Sequence, residues 1–401
     1  NAPTNGYVLT AQSGNTGGLT WAEAASGAPL YAANESSPGA QPSATGGNAV
    51  AIGDSAVAGG VDAFSFGVGA SASGAYGIAI GRGTTASGDD SIALVKFSTA
   101  SGTDAMAFGD TAVASGNYSI SFGGDTDATA YASVAIGKDA QSVGSRSTAI
   151  GRAYASGADS FAAAIADVTT SYGATGANSI AMGYQSKATN TGAQGIGYLA
   201  TASGLYSVSL GGSNGSTASG TNSFAWGTFA SASTTYAVAF GAFANATHVS
   251  AVSIGNAATS NSRGKLTFAN GAADHQTGFN LLRQITADAT AEQMTTNNST
   301  ATTDNGINVQ NNAAFAFSGT IVGKQAATAN CAAWKVEGLI VNNGGTTTLV
   351  NSAVTVLNNA PAWGMALTAD NTNNCLAVTV TGAASTTINW TASITTSEAE
   401  D

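Results

Sequence analysis

Charge is what this chain has least of. Lys and Arg number 11 and Asp and Glu 22 in 401 residues, a formal net charge of -11, and the few basic residues form no cluster. Without a basic patch nothing neutralises a phosphate backbone or holds an anionic lipid surface, which excludes nucleic-acid binding and electrostatic membrane attachment. Histidine and cysteine occur twice each, as His248, His275, Cys331 and Cys375, and offer no ligand spacing for zinc. The even cysteine pair allows a disulfide, yet a chain otherwise free of cysteine does not read as an oxidised secreted scaffold. No run of about twenty apolar residues is present, so no membrane-spanning helix is expected. What the chain has instead is small residues, 52 Gly among them, and enough apolar ones, 43 per cent, to bury a sizeable core.

The glycines keep time. A large–small–large couplet followed by glycine recurs every fourteen residues, as in Val50-Ala51-Ile52-Gly53, Phe64-Ser65-Phe66-Gly67 and Ile78-Ala79-Ile80-Gly81, and holds this step to Gly151. Val95 takes the glycine slot in the fourth coil. After a degenerate coil near Ile165 and a four-residue insertion the beat resumes at Gly183, Gly197 and Gly211, gains two residues, and continues at Gly227, Gly241 and Gly255. A period this short has no room for a helical hairpin, so each unit is a strand, a turn and a second strand of a β-solenoid. At about 4.8 Å per coil, roughly fifteen coils would make a rod about 70 Å long.

Alternation of period two gives the first strand a bulky face and a small face. The second strand repeats small residues at alternate positions, as in Ala56 and Ala58, Ala70 and Ala72, Ala112 and Ala114. Two short strands joined by tight turns enclose only a narrow slot, so the Ala and Ser rows belong inside the coil and the bulky row outside. That row comprises Val50, Ile52, Phe64, Phe66, Ile78, Ile80, Met106, Phe108, Ile120, Phe122, Val134, Ile136, Ile180, Met182, Val208, Leu210, Phe224, Trp226, Val238, Phe240, Val252 and Ile254. In water it would be an apolar stripe far larger than a soluble monomer exposes, so self-association is implied, most simply as a homotrimer, although a dimer is also compatible. Glycines at the couplet end and about seven residues later (Gly60, Gly74, Gly88, Gly102, Gly116 and Gly144) are expected at positive φ, with Asn48, Asp62, Tyr76, Asp90, Asp104, Tyr118, Asn178, Tyr206, Asn222 and Tyr236 as corner residues.

Residues 1–47 read as a Gly/Ser/Ala/Asn-rich lead-in whose runs Gly6-Tyr7-Val8-Leu9-Thr10 and Gly18-Leu19-Thr20-Trp21-Ala22 suggest a small strand pair. Residues 48–257 are the solenoid, 258–275 a polar connector, and 276–401 a domain without the fourteen-residue beat. There, longer alternating runs (Gly278 to Thr286, Ala313 to Lys324, Ala333 to Val341, Thr346 to Leu357, Trp363 to Thr368, Leu376 to Thr381 and Thr386 to Thr396) predict a β-sandwich or jelly roll. The fold class is therefore all-β. The start at Asn1, with no initiator Met, suggests processing or a preceding region.

The couplets, with Ser133-Val134-Ala135-Ile136-Gly137 and Asn178-Ser179-Ile180-Ala181-Met182-Gly183 as the clearest, resemble the head repeats of trimeric autotransporter adhesins of the YadA type. That resemblance implies a left-handed parallel β-roll, trimeric, over about half the chain. A heptad stalk and a membrane-anchor barrel, which that family carries, do not follow. The lead-in, and the C-terminal segments Gln276-Thr277-Gly278, Leu282-Arg283-Gln284, Phe317-Ser318-Gly319, Ala333-Trp334-Lys335-Val336-Glu337-Gly338 and Leu376-Ala377-Val378-Thr379-Val380-Thr381-Gly382, are similar to tailed-phage fibre proteins, notably those of aquatic phages. Together these resemblances imply a virion fibre or spike. Its partners would be copies of itself, other virion proteins and a host receptor or glycan. A bacterial surface adhesin and a polysaccharide depolymerase are the alternatives.

No catalytic set is legible. His275 follows Asp274 but lies near no nucleophile elbow, and reads as a solvated loop histidine. Asp89-Asp90 and Asp125 with Asp127 lack the repeated glycine–aspartate nonapeptide of calcium-binding rolls and read as turn residues. Gly211-Gly212-Ser213-Asn214-Gly215 lacks the Lys-Ser/Thr end of a phosphate loop. Trp334, Trp363 and Trp390 are expected in the sandwich core rather than as sugar platforms. The expectation is a protein with no enzymatic activity, metal or cofactor. Loops around Phe229 and Phe243 and the insertion after Ile165 are the places for receptor contact.

Overall fold

The computed structural model describes residues 40–166, 171–271, 275–360 and 363–400, together with the backbone of a strand pair in the lead-in, Tyr7–Ala11 antiparallel to Leu19–Glu23. Two compact units, Asn1–Arg146 and Ser147–Asp401, divide the chain. The elements assigned among the described residues are all strands.

In the first unit each coil gives one three-residue strand to one parallel sheet and one two-residue strand to another. Val50 pairs with Phe64, Phe64 with Ile78, and Ile78 with Ile92, each step fourteen residues. The second sheet begins at Ser43–Ala44, which pairs with Val57–Ala58, so the roll starts inside the segment read as lead-in. Ala56, Ala58, Ala70, Ala72, Ala112 and Ala114 are fully buried between the sheets. Serine replaces alanine at some interior positions, and at two of them the hydroxyl is satisfied across the slot, Ser65 Oγ donating to the Ala70 carbonyl at 2.9 Å and Ser121 Oγ to that of Thr126 at 3.0 Å, whereas the buried hydroxyls of Ser119 and Ser186 have no hydrogen-bond partner.

One expectation about the corners needs correction. The couplet glycines, Gly211 excepted, do take positive φ, 120° at Gly53 and 136° at Gly67. The glycines seven residues later do not: the left-handed corner is held two residues on by Asp62, Tyr76, Asp90, Asp104 and Tyr118. Gly60 is required for a different reason, since a Cβ there would lie 1.9 Å from the carbonyl oxygen of Gly74 on the next coil. Stacking distance, not backbone freedom, selects glycine at that position.

The second unit continues the same pattern with local changes of step. Thr148 pairs with Phe161, thirteen residues on, and Phe161 with Ile180, nineteen residues on, while Ile165 is wholly buried. Val208 pairs with Phe224, which absorbs the two-residue insertion. The region read as a connector carries a further coil: Thr259–Ser260 pairs with Asn245–Ala246, and Leu266–Asn270 with Val252–Asn256. Leu266-Thr267-Phe268 preserves the large–small–large couplet, and Ala269 stands where glycine usually does; its polar neighbours hid this coil.

Beyond it lies a β-sandwich, its strands numbered here β1 (His275–Thr286), β2 (Ala291–Gln293), β3 (Ile307–Asn308), β4 (Ala313–Gln325), β5 (Cys331–Asn343), β6 (Thr346–Ala360), β7 (Gly364–Asp370), β8 (Cys375–Thr381) and β9 (Ile388–Ala399). The larger sheet is antiparallel in the order β1-β9-β4-β5-β6, and β1 also pairs antiparallel with Leu266–Ala269, so the first sheet of the roll runs directly into it. In the smaller sheet β8 is flanked by β7 on one side and β2 and β3 on the other. Between the sheets lie Leu282, Phe315, Ile321, Val336, Ile340, Val378 and Ile394 with the three tryptophans. Trp390 stacks on Trp334 at 6.0 Å and meets Trp363 edge-on at 5.6 Å; its Nε1 donates to Thr286 Oγ1 at 2.9 Å. All three are thus core, as expected.

Candidate interaction surfaces

Every residue of the expected bulky row lies on the outer face of the first sheet, partly or largely exposed, above the buried Ala and Ser of the same strands. Phe66, Met106, Phe122 and Ile136 are exposed in the first unit, Met182, Trp226 and Phe240 in the second. Neighbouring members touch along the stripe: Phe108 stacks on Phe122 at 4.9 Å, and Trp226 meets Phe240 edge-on at 4.7 Å. The outer face of the second sheet differs in character, presenting Ser71, Thr85 and Thr99 in one unit and Lys187, Thr201 and Asn245 in the other. Within each unit the roll thus has one apolar and one largely polar broad face.

The sequence reading missed the far end of this row. Phe268, on the additional coil, is exposed and lies edge-on to Phe279 at 6.0 Å; Phe279, Leu281 and Ile285 extend the apolar face along β1. Alternation along Phe279–Ile285 was visible in sequence, but only its pairing with Leu266–Ala269 puts it on the face of the roll.

A second set of exposed apolar side chains lies at the turn after the couplet glycine. In the second unit Tyr184 and Tyr198 stack nearly parallel at 5.2 Å, and the rings of Phe229 and Phe243, both at positive φ, meet tilted by 30° at 5.3 Å. Between these pairs the longer turn Gly211–Gly215 brings Ser213, whose hydroxyl lies 3.1 Å from that of Thr228. Part of the insertion after Ile165, residues 167–170, lies outside the described residues.

Asp54, Asp89 and Asp125 serve the corners, whereas Asp127, read from sequence as a turn residue, lies in a strand paired with Val113 and Gln141. Asp54 Oδ1 accepts the Ala40 N–H at 2.7 Å and Asp89 Oδ1 the Ala75 N–H at 3.0 Å, each reaching back one coil. Asp125 accepts the Thr111 hydroxyl; Asp127, on the second sheet, is raised in pKa by burial and then by the neighbouring Asp125 charge. No group of three or more His, Cys, Asp or Glu that fits a metal ion is found among the described residues. His248 Nε2 lies 3.3 Å from Asp304, and its Nδ1 2.8 Å from Thr247 Oγ1. Asp274, the neighbour that raised a triad for His275, lies outside the described residues. His275 borders a cavity of about 520 Å³ with Phe268, Asn270, Gln276 and Glu398.

Glu398 is already committed. Lys265 Nζ donates to its Oε2 at 2.7 Å, with both side chains buried; Asn261 Oδ1 and the Phe315 ring complete the lysine's surroundings, and Gln276 Nε2 donates to the same carboxylate at 3.1 Å. Cys331 and Cys375 open β5 and β8 in different sheets and are both free thiols. Burial, and then the charge of Asp370, push the Cys375 thiol up to about 12.

A two-strand coil with a small-residue interior, an apolar outer face and a β-sandwich on the same sheet defines a fibre- or adhesin-like protein. Residues 44–70, 72–94, 100–126, 128–152, 174–193, 195–214 and 218–244 match the YadA head domain repeat, so the solenoid is a β-roll of YadA-head type. No curated protein matches the chain. Among solved structures the chain is similar to a tailspike protein gp49 from Acinetobacter baumannii bacteriophage Fri1, a capsular polysaccharide depolymerase, at 10% identity over 97% of this chain and 74% of that one, with a TM-score of 0.23. A likeness of that degree does not bear on activity.

Proposed function

We propose that this protein is a non-enzymatic fibre or spike of a tailed-phage virion, three copies associating through the outer apolar face of the roll and presenting host-binding surfaces outward. The observation that carries the reading is the asymmetry of the roll within each unit: one broad face bears a row of large apolar side chains, the other mainly Ser, Thr and Asn. A surface of the first kind is covered in a soluble particle, and a closed cyclic arrangement covers it in identical chains. The aromatic pairs Tyr184–Tyr198 and Phe229–Phe243, off this face, are the surfaces offered to a host receptor or glycan. Repetition around the axis adds avidity, because weak sites on one rigid body engage together.

The repeat match itself favours a second reading, a bacterial surface adhesin. Antibody labelling separates the two: purified virions carry the protein in the first case, the bacterial envelope in the second. For function, the recombinant protein should compete with virions for adsorption without releasing sugar fragments from the cell surface. Soluble reducing ends on incubation with host polysaccharide would establish a depolymerase instead. Absence of both binding and competition would leave only a structural spacer.

A further inference from the structure

β6 is the outermost strand of the larger sheet, and β5 is its ladder partner on one edge. From Val350 to Asn359 every side chain is exposed, although successive residues of a strand point to opposite faces. Both faces and the outer edge are therefore bare. The segment includes Val350, Val354, Val356 and Leu357, the last two 58% and 59% exposed, and the strand Thr346–Ala360 contains neither a charge nor a proline. Edge strands that face water are usually short, charged or interrupted by proline, because a long bare apolar edge recruits another strand.

The sequence of the segment indicates which strand. Read about Ala353, Leu349-Val350-Asn351-Ser352 is followed by Val354-Thr355-Val356-Leu357. An antiparallel copy centred there sets Leu349 against Leu357, Val350 against Val356 and Asn351 against Thr355, apolar on apolar and polar on polar, with Ser352 against Val354 beside the centre as the one mixed pair. Such self-complementarity is what a two-fold interface between identical surfaces requires, and no charge is present to repel a second copy. Register shifts against β5 set Val350 and Leu357 out of the ladder, leaving Asn351–Val356 as the regular stretch between them.

We propose that β6 is a self-association edge, its segment Leu349–Leu357 pairing antiparallel with the same segment of a second copy of this chain. This contact lies apart from the apolar face of the roll and does not depend on three-fold association there.

Position 353 supplies opposite tests in the full chain, since its side chain is exposed and its replacement leaves the core untouched. In a Cys331→Ser background, Ala353→Cys places two thiols directly opposite each other and should cross-link chains in pairs under mild oxidation. Thr355→Cys alone should not, but should when mixed with Asn351→Cys. Ala353→Lys should halve the particle mass measured by light scattering, by opposing two like charges. An unchanged mass in Ala353→Lys, or equal cross-linking of Ala353→Cys and Thr355→Cys, overturns the pairing; so does a fall in mass without self-cross-linking. A three-chain particle that Ala353→Lys leaves at three chains would refute this edge and leave the roll trimer standing. A two-chain particle that dissociates to monomers would do the reverse.

Discussion

The pair Lys265–Glu398 ties the last coil of the roll to β9 of the sandwich, and its removal has a calculable cost. Both side chains are almost wholly out of water, the lysine 2% exposed and the glutamate 0%, at a separation of 2.7 Å. Taking away one partner leaves the other charge buried without compensation, which costs about 3–5 kcal/mol, whereas replacing both by apolar groups of similar volume is often neutral or stabilising. Lys265→Met should therefore lower the melting temperature of the unit Ser147–Asp401 by roughly 10 °C, at about 2–4 °C per kcal/mol for a body of this size. Lys265→Met with Glu398→Leu should recover most of that loss. Gly278→Ala gives an independent check, because a Cβ there would lie 2.3 Å from Glu398 Oε1 and 2.7 Å from Lys265 Cε. The assay is thermal unfolding followed by circular dichroism, with all variants at one protein concentration since association shifts the midpoint. A single variant as stable as the parent, or a double variant as unstable as the single, would refute the view that desolvation dominates this junction.

Three further expectations concern the roll and the thiols. Ile136→Asp, on the outer face, should abolish association through the roll and leave nothing larger than a pair of chains in sedimentation, since burying the new charge costs several kcal/mol per chain, on the order of the penalty for a lone buried ion; Ala135→Leu, inside the fully packed coil, should instead keep the stoichiometry and lower stability by about 1–3 kcal/mol. Val95 holds φ 79° in the glycine slot of its coil, a left-handed conformation unfavourable for a β-branched residue, so Val95→Gly should raise the melting temperature of the unit Asn1–Arg146, and a fall would show that its side-chain contacts outweigh the strain. Cys375, buried and with its thiol pushed up to about 12, should resist alkylation at pH 8 while the half-buried Cys331 reacts; melting should be the same with and without reductant, and a large downward shift on reduction would mean that the two thiols pair.

Much of the fold was legible because a strand repeat writes its packing into every period. Val50-Ala51-Ile52-Gly53 already states which side chains stack inside and which project, and the buried Ala and Ser rows follow from slot width alone. In the sandwich the long alternating runs located seven strands, whereas β2 and β3, three and two residues long, carry too few alternations to show a period. The coil at Leu266–Asn270 escaped notice because Ala269 replaces the expected glycine among polar residues, so the signal that marks a coil was absent although its couplet was intact.

The reach of sequence reasoning ends where an element's meaning depends on what lies beside it. Gly60 and Gly53 look alike in a list of glycines, yet one is demanded by a carbonyl on the next coil and the other also by its φ. Lys265 and Glu398 are 133 residues apart and look like ordinary surface charges until the antiparallel pairings of β1 and β9 bring them together over Gly278. The same holds for the apolar face: Phe279, Leu281 and Ile285 alternate as any half-buried strand would, and become an extension of the roll's outer row only because β1 adds to the sheet beside Leu266–Ala269. A surface that covers this face must therefore also meet β1, which draws the sandwich into any association that begins on the roll. Leu281→Asp, tested beside Ile136→Asp, measures that reach: if it weakens association the face acts as one interface, and if it leaves the stoichiometry unchanged the interface stops at the last coil.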